Sequence, residues 1–275
     1  VIDDNDLEDI DILIFDIQDV GVRFYTHIST LHYVMQASAE NNIPLIVLDR
    51  PNPNGHYVDG PVLEIKNKSF VGMHEVPIIY GLTIGEYAKM INEEGWLNDK
   101  VKSKLHVVEL KNYDRQSEYD LPIIPSPNLP NKKSINLYPS LCLFEGTNIS
   151  VGRGTNLQFQ IYGSPFLNKE KNDFQFNPTK NSGSKYPKHE NKLCYGKNLS
   201  LTERLNEFNL EFILKAYTDS SNKSEFFNNY FIKLAGVDDL KNQIISGYSQ
   251  QEIKESWQKK LEKYKLMRKK YLIYK

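Results

Sequence analysis

Two cysteines in 275 residues, Cys142 and Cys194, are too few for a disulfide scaffold. One bridge in an oxidising compartment is the most they allow, and their presence alone decides nothing about location. An excess of either charge is also missing: 34 Lys and Arg stand against 35 Asp and Glu, a net charge of -1, which removes the basic footprint of a nucleic-acid binder. No apolar run is long enough to span a bilayer, and no signal peptide is visible. Metal-ligand spacing of His and Cys is absent, as are the Walker lysine pattern and the dinucleotide glycine spacing, so neither a metal nor a nucleotide cofactor is implied. The chain opens on Val1 rather than Met and runs through the acidic stretch 3–6, which predicts a processed or truncated product. What it has in quantity is apolar and aromatic surface. Hydrophobic content of 40%, with 17 Tyr and 13 Phe, suffices for one large core or two smaller ones, two being the better expectation. Rings in such number suit stacking on sugars, although core filling explains most of them.

The first part alternates strand and helix. Ile10 to Phe15 reads as a strand buried on both faces, Ser29 to Asn41 as a helix, and Ile43 to Leu48 as the next strand, together a βαβ unit. Thr83 and Glu86 form a capping box that starts a helix running to about Glu94, with Gly95 as its stop, and this gives Glu86 a structural task. Leu105 to Leu110 returns to strand pattern. Between Pro122 and Pro139 the prolines are too dense for regular structure, so a long shaped loop is expected. Composition changes near Pro165, and Asn168 to Lys192, poor in aliphatics, reads as a linker or excursion. Two further capping boxes, Ser200 to Glu203 and Ser249 to Glu252, predict helices over about 202–216 and 250–274, the last burying Ile253, Trp257, Leu261, Tyr264 and Tyr271 on one face. The expected fold is α/β: a Rossmann-like parallel-sheet domain over 1–164 and a smaller α+β domain over 165–275.

Three segments carry chemistry. Asp16 to Thr26 (DIQDVGVRFYT) follows the first strand, and Asp49 to Gly55 (DRPNPNG) follows the second, so both stand at strand carboxyl ends, where open α/β sheets bind ligands. Asp16, Asp19 and Arg50 are candidates there. Each has a bland alternative: Asp19 could pair with Arg23, Gly21 could simply turn the chain, Arg50 could be occupied by Asp16, Asp19 or Asp49, and Asn54-Gly55 could be a plain turn. The third segment, Phe144 to Thr155 (FEGTNISVGRGT), places one acid, Glu145, and one guanidinium, Arg153, among small residues that let a backbone approach a polar ligand.

With Pro125 to Asn128 (PSPN), these motifs resemble the bacterial DUF1343 family, associated with exo-β-N-acetylmuramidases of the NamZ type, and the likeness covers nearly the whole chain. The resemblance implies a Rossmann-like domain, a smaller second domain, a site in the cleft between them, and removal of terminal N-acetylmuramic acid from peptidoglycan fragments in a periplasmic or secreted setting. It departs at two points. Many relatives carry Glu where Val151 stands here, and a Glu-His-Gly motif that looks like the source of the family's principal acid does not occur, as expected if it lies upstream.

Hydrolysis of a glycosidic bond generally uses two carboxyl groups, and Asp16, Asp19 and Glu145 are the acids available. The lactyl carboxylate that distinguishes muramic acid calls for a cation. Arg50 or Arg153 is favoured over Arg23, which has Asp19 four residues away. Gln18, Asn52, Asn148 and Thr155 offer hydrogen bonds to acetamido and hydroxyl groups, and Tyr25 and Asn54 complete the expected binding set. Asp16, Arg23, Arg50, Glu145 and Arg153 are expected to face one cleft. A catalytically silent saccharide-binding protein on the same fold is the main alternative. A sugar-nucleotide enzyme is weaker, for want of a phosphate loop.

Overall fold

The computed structural model describes Ile2 and residues 4–275; Val1 and Asp3 of the acidic opening lie outside the described residues. Strands β1 (Leu13–Phe15), β2 (Leu45–Leu48) and β3 (Leu105–Val108) form a parallel sheet in that order, with Leu13 opposite Leu45 and Leu45 opposite Leu105. Helix α1 (His27–Glu40) makes the first crossover and α2 (Ile84–Glu93) lies in the second. Both pack their apolar faces around Phe15, Leu45 and Val47. The capping box at Thr83 is reciprocal: its hydroxyl accepts from Glu86 N while the Glu86 carboxylate accepts from Thr83 N–H. Gly95 follows at φ 64, the left-handed stop expected of it.

Helix α3 (Lys132–Leu141) leads through a 3-10 turn, Cys142–Gly146, to a three-stranded antiparallel sheet ordered β4 (Ile161–Ser164), β6 (Cys194–Asn198), β5 (Phe174–Phe176). Short helices α4 (Glu211–Asp219), α5 (Tyr230–Ala235) and α6 (Asp239–Ile245) follow, then the long α7 (Gln250–Arg268), headed by the expected box at Ser249. Two apolar cores result. Ile253, Trp257 and Leu261 of α7 enter the core of the antiparallel half, whereas Tyr264 and Tyr271 enter that of the parallel sheet, so one helix spans both. Cys142 and Cys194 are separate buried thiols.

Four expectations change. The segment 10–15 is not buried on both faces: β1 is an edge strand three residues long, and Ile10, Ile12 and Ile14 are exposed. The proline-rich stretch holds a helix after all, because Asn131 caps α3 through Ser134, and Pro139 sits inside it. No helix starts at Thr202. Residues 205–210 are pinned individually by other elements: Asn136 holds both backbone groups of Leu205, Asp59 accepts from Phe208 N, Ser140 from Asn209 N and Gln250 from Leu210 N. That geometry forbids the helical ladder until Asn209 caps Glu211 N, where α4 begins. The last helix ends at Arg268 rather than 274, and Ile273 and Tyr274 donate instead to Glu86.

Candidate functional site

The carboxyl ends of β1, β2 and β3 open into a cavity of about 480 Å³ lined by Asp16, Asp49, Arg50, Tyr113 and Asp114. Asp16 accepts from Arg50 Nε at 2.7 Å, with Nη2 2.6 Å from the same oxygen in the ion pair, on the exposed rim. Asp49 lies deeper. Burial raises its carboxyl above the usual range, while Tyr274, Gly85 N, Thr83 and Arg50 N all donate to it, which makes it an anchor for α2.

Behind this rim the first two motifs lock into each other. Gly21 at φ 77 lies so close to Asn52 that a Cβ would meet its Oδ1 at 2.1 Å. Asn52 donates to Leu82 O and accepts from Asn54 N; Asn54 donates to Val20 O and Ile135 O; Gln18 donates to Asp19 O and Pro51 O. Asn52 and Asn54, expected to contact substrate, are buried in the floor of the site, where their amide N–H groups go to backbone carbonyls while Oδ1 of Asn54 is left without a partner. Arg23 is likewise internal. It is fully buried, its guanidinium donates to the carbonyls of Pro61, Val76, Leu234 and Ala235, and no pair with Asp19 forms. Burial pulls its pKa down to about 9. Asp19 instead accepts Gly21 N at 2.6 Å and the Tyr80 hydroxyl, shaping the turn, with Oδ1 buried and unpartnered. Burial pushes this carboxyl up to about 6 against the pull of those donors and of His27.

Glu145 and Arg153 line a second cavity, of about 380 Å³, with Ser150, Tyr186, Lys188 and Tyr230. It shares no lining residue with the strand-end cavity: of the residues expected to face one cleft, Asp16 and Arg50 line the first, Glu145 and Arg153 the second, and Arg23 neither. Gly146 brings α5 against the acid-bearing turn, where a Cβ would meet Phe231 Cα at 2.4 Å. Arg153 Nη2 donates to Glu145 Oε2 at 2.9 Å. Its Nε lies 2.6 Å from Oε1 without aiming its N–H along that line. Thr155 is spent on the turn, donating to Gly152 O, and Asn148 donates to Asn222 O while its Oδ1 is buried without a partner.

An aromatic column joins the motifs. Phe24 and Tyr25 meet the Tyr138 ring at 5.4 and 6.0 Å, Tyr138 meets Phe159 at 4.9 Å, and the Arg153 guanidinium lies 5.4 Å over Phe159. Phe159 holds φ 52, an unfavourable backbone for a bulky side chain that its packing under Arg153 retains. Tyr25 also donates to Pro125 O, which brings in the PSPN loop.

Sequence reasoning missed Lys188 and Tyr186. Both come from the stretch read as a linker, whose residues 178–192 lie across the Glu145 motif: Thr179 N donates to Gly154 O, His189 to Asn148 O, and Asn128 to Gly183 O. The cluster Lys-Tyr-Pro-Lys-His at 185–189, rich in cations and rings around Pro187, is the signal available. Among the described residues no group of three His, Cys, Asp or Glu side chains is placed to hold a metal ion, and no helix is long and apolar enough to cross a membrane.

Residues 2–133 match the family model for the N-terminal part of the exo-β-N-acetylmuramidase NamZ, and residues 136–274 that for its C-terminal part. The chain is 40% identical to the peptidoglycan β-N-acetylmuramidase NamZ of Bacillus subtilis (strain 168), over 98% of this chain and 68% of that protein. Two solved DUF1343 family proteins of Bacteroides fragilis NCTC 9343 superpose on it. One has a TM-score of 0.94 at 45% identity, covering 99% of this chain and 78% of the other; the second has 0.81 at 28%, covering 98% and 77%. By both family models and by this identity, the chain belongs to the NamZ family of exo-β-N-acetylmuramidases, which are glycoside hydrolases.

Proposed function

We propose that this chain releases terminal N-acetylmuramic acid from peptidoglycan-derived saccharides, acting outside the cytoplasm. One observation carries the reading: a carboxylate and a guanidinium, Glu145 and Arg153, share one open cavity with hydroxyl-bearing Ser150, Tyr186 and Tyr230. Glycosidic cleavage needs a carboxyl group beside the scissile bond, and muramic acid adds a lactyl carboxylate that a guanidinium fork suits. Glu145 is assigned to the reacting sugar and Arg153 to the lactyl group. Asp16 and Arg50 hold the remainder of the saccharide at the strand-end cavity, and Asp19 shapes the loop between. The relative in B. subtilis, named a peptidoglycan β-N-acetylmuramidase, supports the reading.

The test is to incubate the protein with two disaccharides, one carrying N-acetylmuramic acid at its non-reducing end and the other with N-acetylglucosamine there. Free N-acetylmuramic acid from the first and no cleavage of the second is expected. Saturable binding of the first without release identifies a saccharide-binding protein instead.

A further inference from the structure

The Lys188 ammonium sits under the turn that carries Glu145. Its Nζ donates to the carbonyls of Phe144, Thr147 and Ile149, at 3.1, 2.5 and 3.0 Å. Three carbonyls of one six-residue stretch, 144–149, thus converge on a single cation from another part of the chain, and Glu145 projects from between two of them. Successive carbonyls pointed at one spot repel one another unless a positive charge neutralises them, and a tetrahedral ammonium with three N–H groups satisfies all three. The same stretch carries a rare second restraint, since Gly146 has α5 pressed against it. Of the same segment, His189 donates to Asn148 O and Lys180 pairs with Glu190.

We infer that Lys188 is the positioning residue of the site, an internal cation that fixes the Glu145 turn so that the carboxylate and Arg153 meet the sugar in register. The inference rests on the reading that Glu145 acts on the glycosidic bond. It makes Lys188 matter for turnover although it does not touch Glu145 in this structure.

Protonation supplies an independent handle. Burial lowers the Lys188 pKa to about 8. A neutral amine keeps two N–H groups and turns a lone pair toward the third carbonyl, so the clamp fails as pH rises through that value. The titratable groups facing it are Glu145 on the turn, Arg153 opposite, Tyr186 and His189 on its own segment, and Tyr230 on α5. Of these, burial moves Tyr230 up and His189 down, away from pH 8, so they do not imitate the limb.

The experiment compares wild type, Lys188→Met, Lys188→Arg and Glu145→Gln on a disaccharide with N-acetylmuramic acid at its non-reducing end. Lys188→Met should lower kcat about 100-fold, the scale of a misplacement near 1 Å, with KM changed only a few-fold. Lys188→Arg should restore part of kcat and displace the alkaline limb near pH 8 upward, because a guanidinium does not lose its proton there. A folded Lys188→Met variant with wild-type kcat overturns the inference. If that variant does not fold, an unmoved alkaline limb in Lys188→Arg overturns it as well. Full activity in Glu145→Gln would remove the underlying reading, and the clamp with it; an inactive Glu145→Gln beside an unimpaired Lys188→Met removes the clamp alone.

Discussion

Arg153 covers both carboxylate oxygens of Glu145, so the two cannot be varied independently: any anion that Arg153 receives shares it with Glu145. Replacing Arg153 with Ala should erode the preference for muramyl over glucosaminyl substrates. Removal of one partner of a desolvated charge pair costs on the order of 2 to 5 kcal/mol, and because the Arg153 side chain is 36% exposed the lower end applies. Relative kcat/KM for the two substrates measures it, and an unchanged ratio in a folded variant would show that the lactyl carboxylate is read elsewhere.

Arg50 should matter less for that discrimination. Its pair with Asp16 is open to solvent, with side-chain exposures of 39% and 44%, and exposed pairs contribute about 0 to 1 kcal/mol. Arg50→Ala is expected to raise KM for longer saccharides and leave the muramyl preference intact. A collapse of that preference would move the carboxylate site to the strand ends.

Arg23 is a stability residue in this structure. Truncation to Ala leaves the carbonyls of Pro61, Val76, Leu234 and Ala235 without their donor and opens a void between the two cores. A loss of about 3 to 5 kcal/mol is expected in urea unfolding. Lys in its place offers three N–H groups to four acceptors and should recover only part. A variant losing less than about 1 kcal/mol, the ordinary scale of one hydrogen bond, would contradict this account.

His32 and His74 form a buried pair, Nδ1 to Nε2 at 2.9 Å, with His74 also bonded to Tyr87 and stacked on Trp96. Burial, with Lys68 nearby, brings His32 down to about 4 and His74 well below its ordinary value. Their folded pKa values lie beneath the unfolded 6.5, so the unfolded chain binds more protons as pH falls from 6.5 toward 4. Stability is therefore full above 6.5 and declines below it, by up to about 1.4 kcal/mol per pH unit for each histidine. Asp19 and Asp49 work the other way, since burial raises both carboxyls and the folded state takes up protons there first. The difference between wild type and His32→Phe isolates the histidine contribution: a wild-type curve that falls no faster than the variant's between pH 6.5 and 4.5 would refute it.

Elements whose signals are local were legible in the sequence. Thr83 with Glu86 and Ser249 with Glu252 each carry both halves of a reciprocal cap, and the side chains needed to start those helices lie within four residues. Ser200 to Glu203 has the same letters but different surroundings. Asn136, Asp59 and Ser140 claim the backbone downstream, and nothing near residue 203 announces them. The candidate site divides similarly. Asp16, Arg50, Glu145 and Arg153 stand at cavities, as polar residues in loops after buried elements suggest. Arg23, Asn52 and Asn54 look equally reactive in the sequence, yet their partners are carbonyls from residues far along the chain. Backbone acceptors have no letter of their own, so a buried arginine that serves them reads like one that serves a ligand. The segment 168–192 was misread for the converse reason: it packs through hydrogen bonds rather than aliphatic burial, and hydrophobic periodicity is blind to that.

That mode of attachment sets the order in which the protein fails on heating. Residues 178–192 are fastened over the Glu145 turn by scattered hydrogen bonds, Thr179 N to Gly154 O, Asn181 to Thr155 O, Asn128 to Gly183 O and His189 to Asn148 O, and by the Lys188 ammonium, while Leu143, Phe144 and Phe231 beneath them belong to a continuous apolar core. A flap held this way detaches with less free energy than the core needs to melt. Thermal inactivation should thus precede loss of ellipticity, and a protease that cuts near the exposed Tyr186 should abolish turnover in molecules whose two sheets are still intact. The working temperature of the enzyme is then set by a strap of polar residues, and a better-packed interior would not raise it.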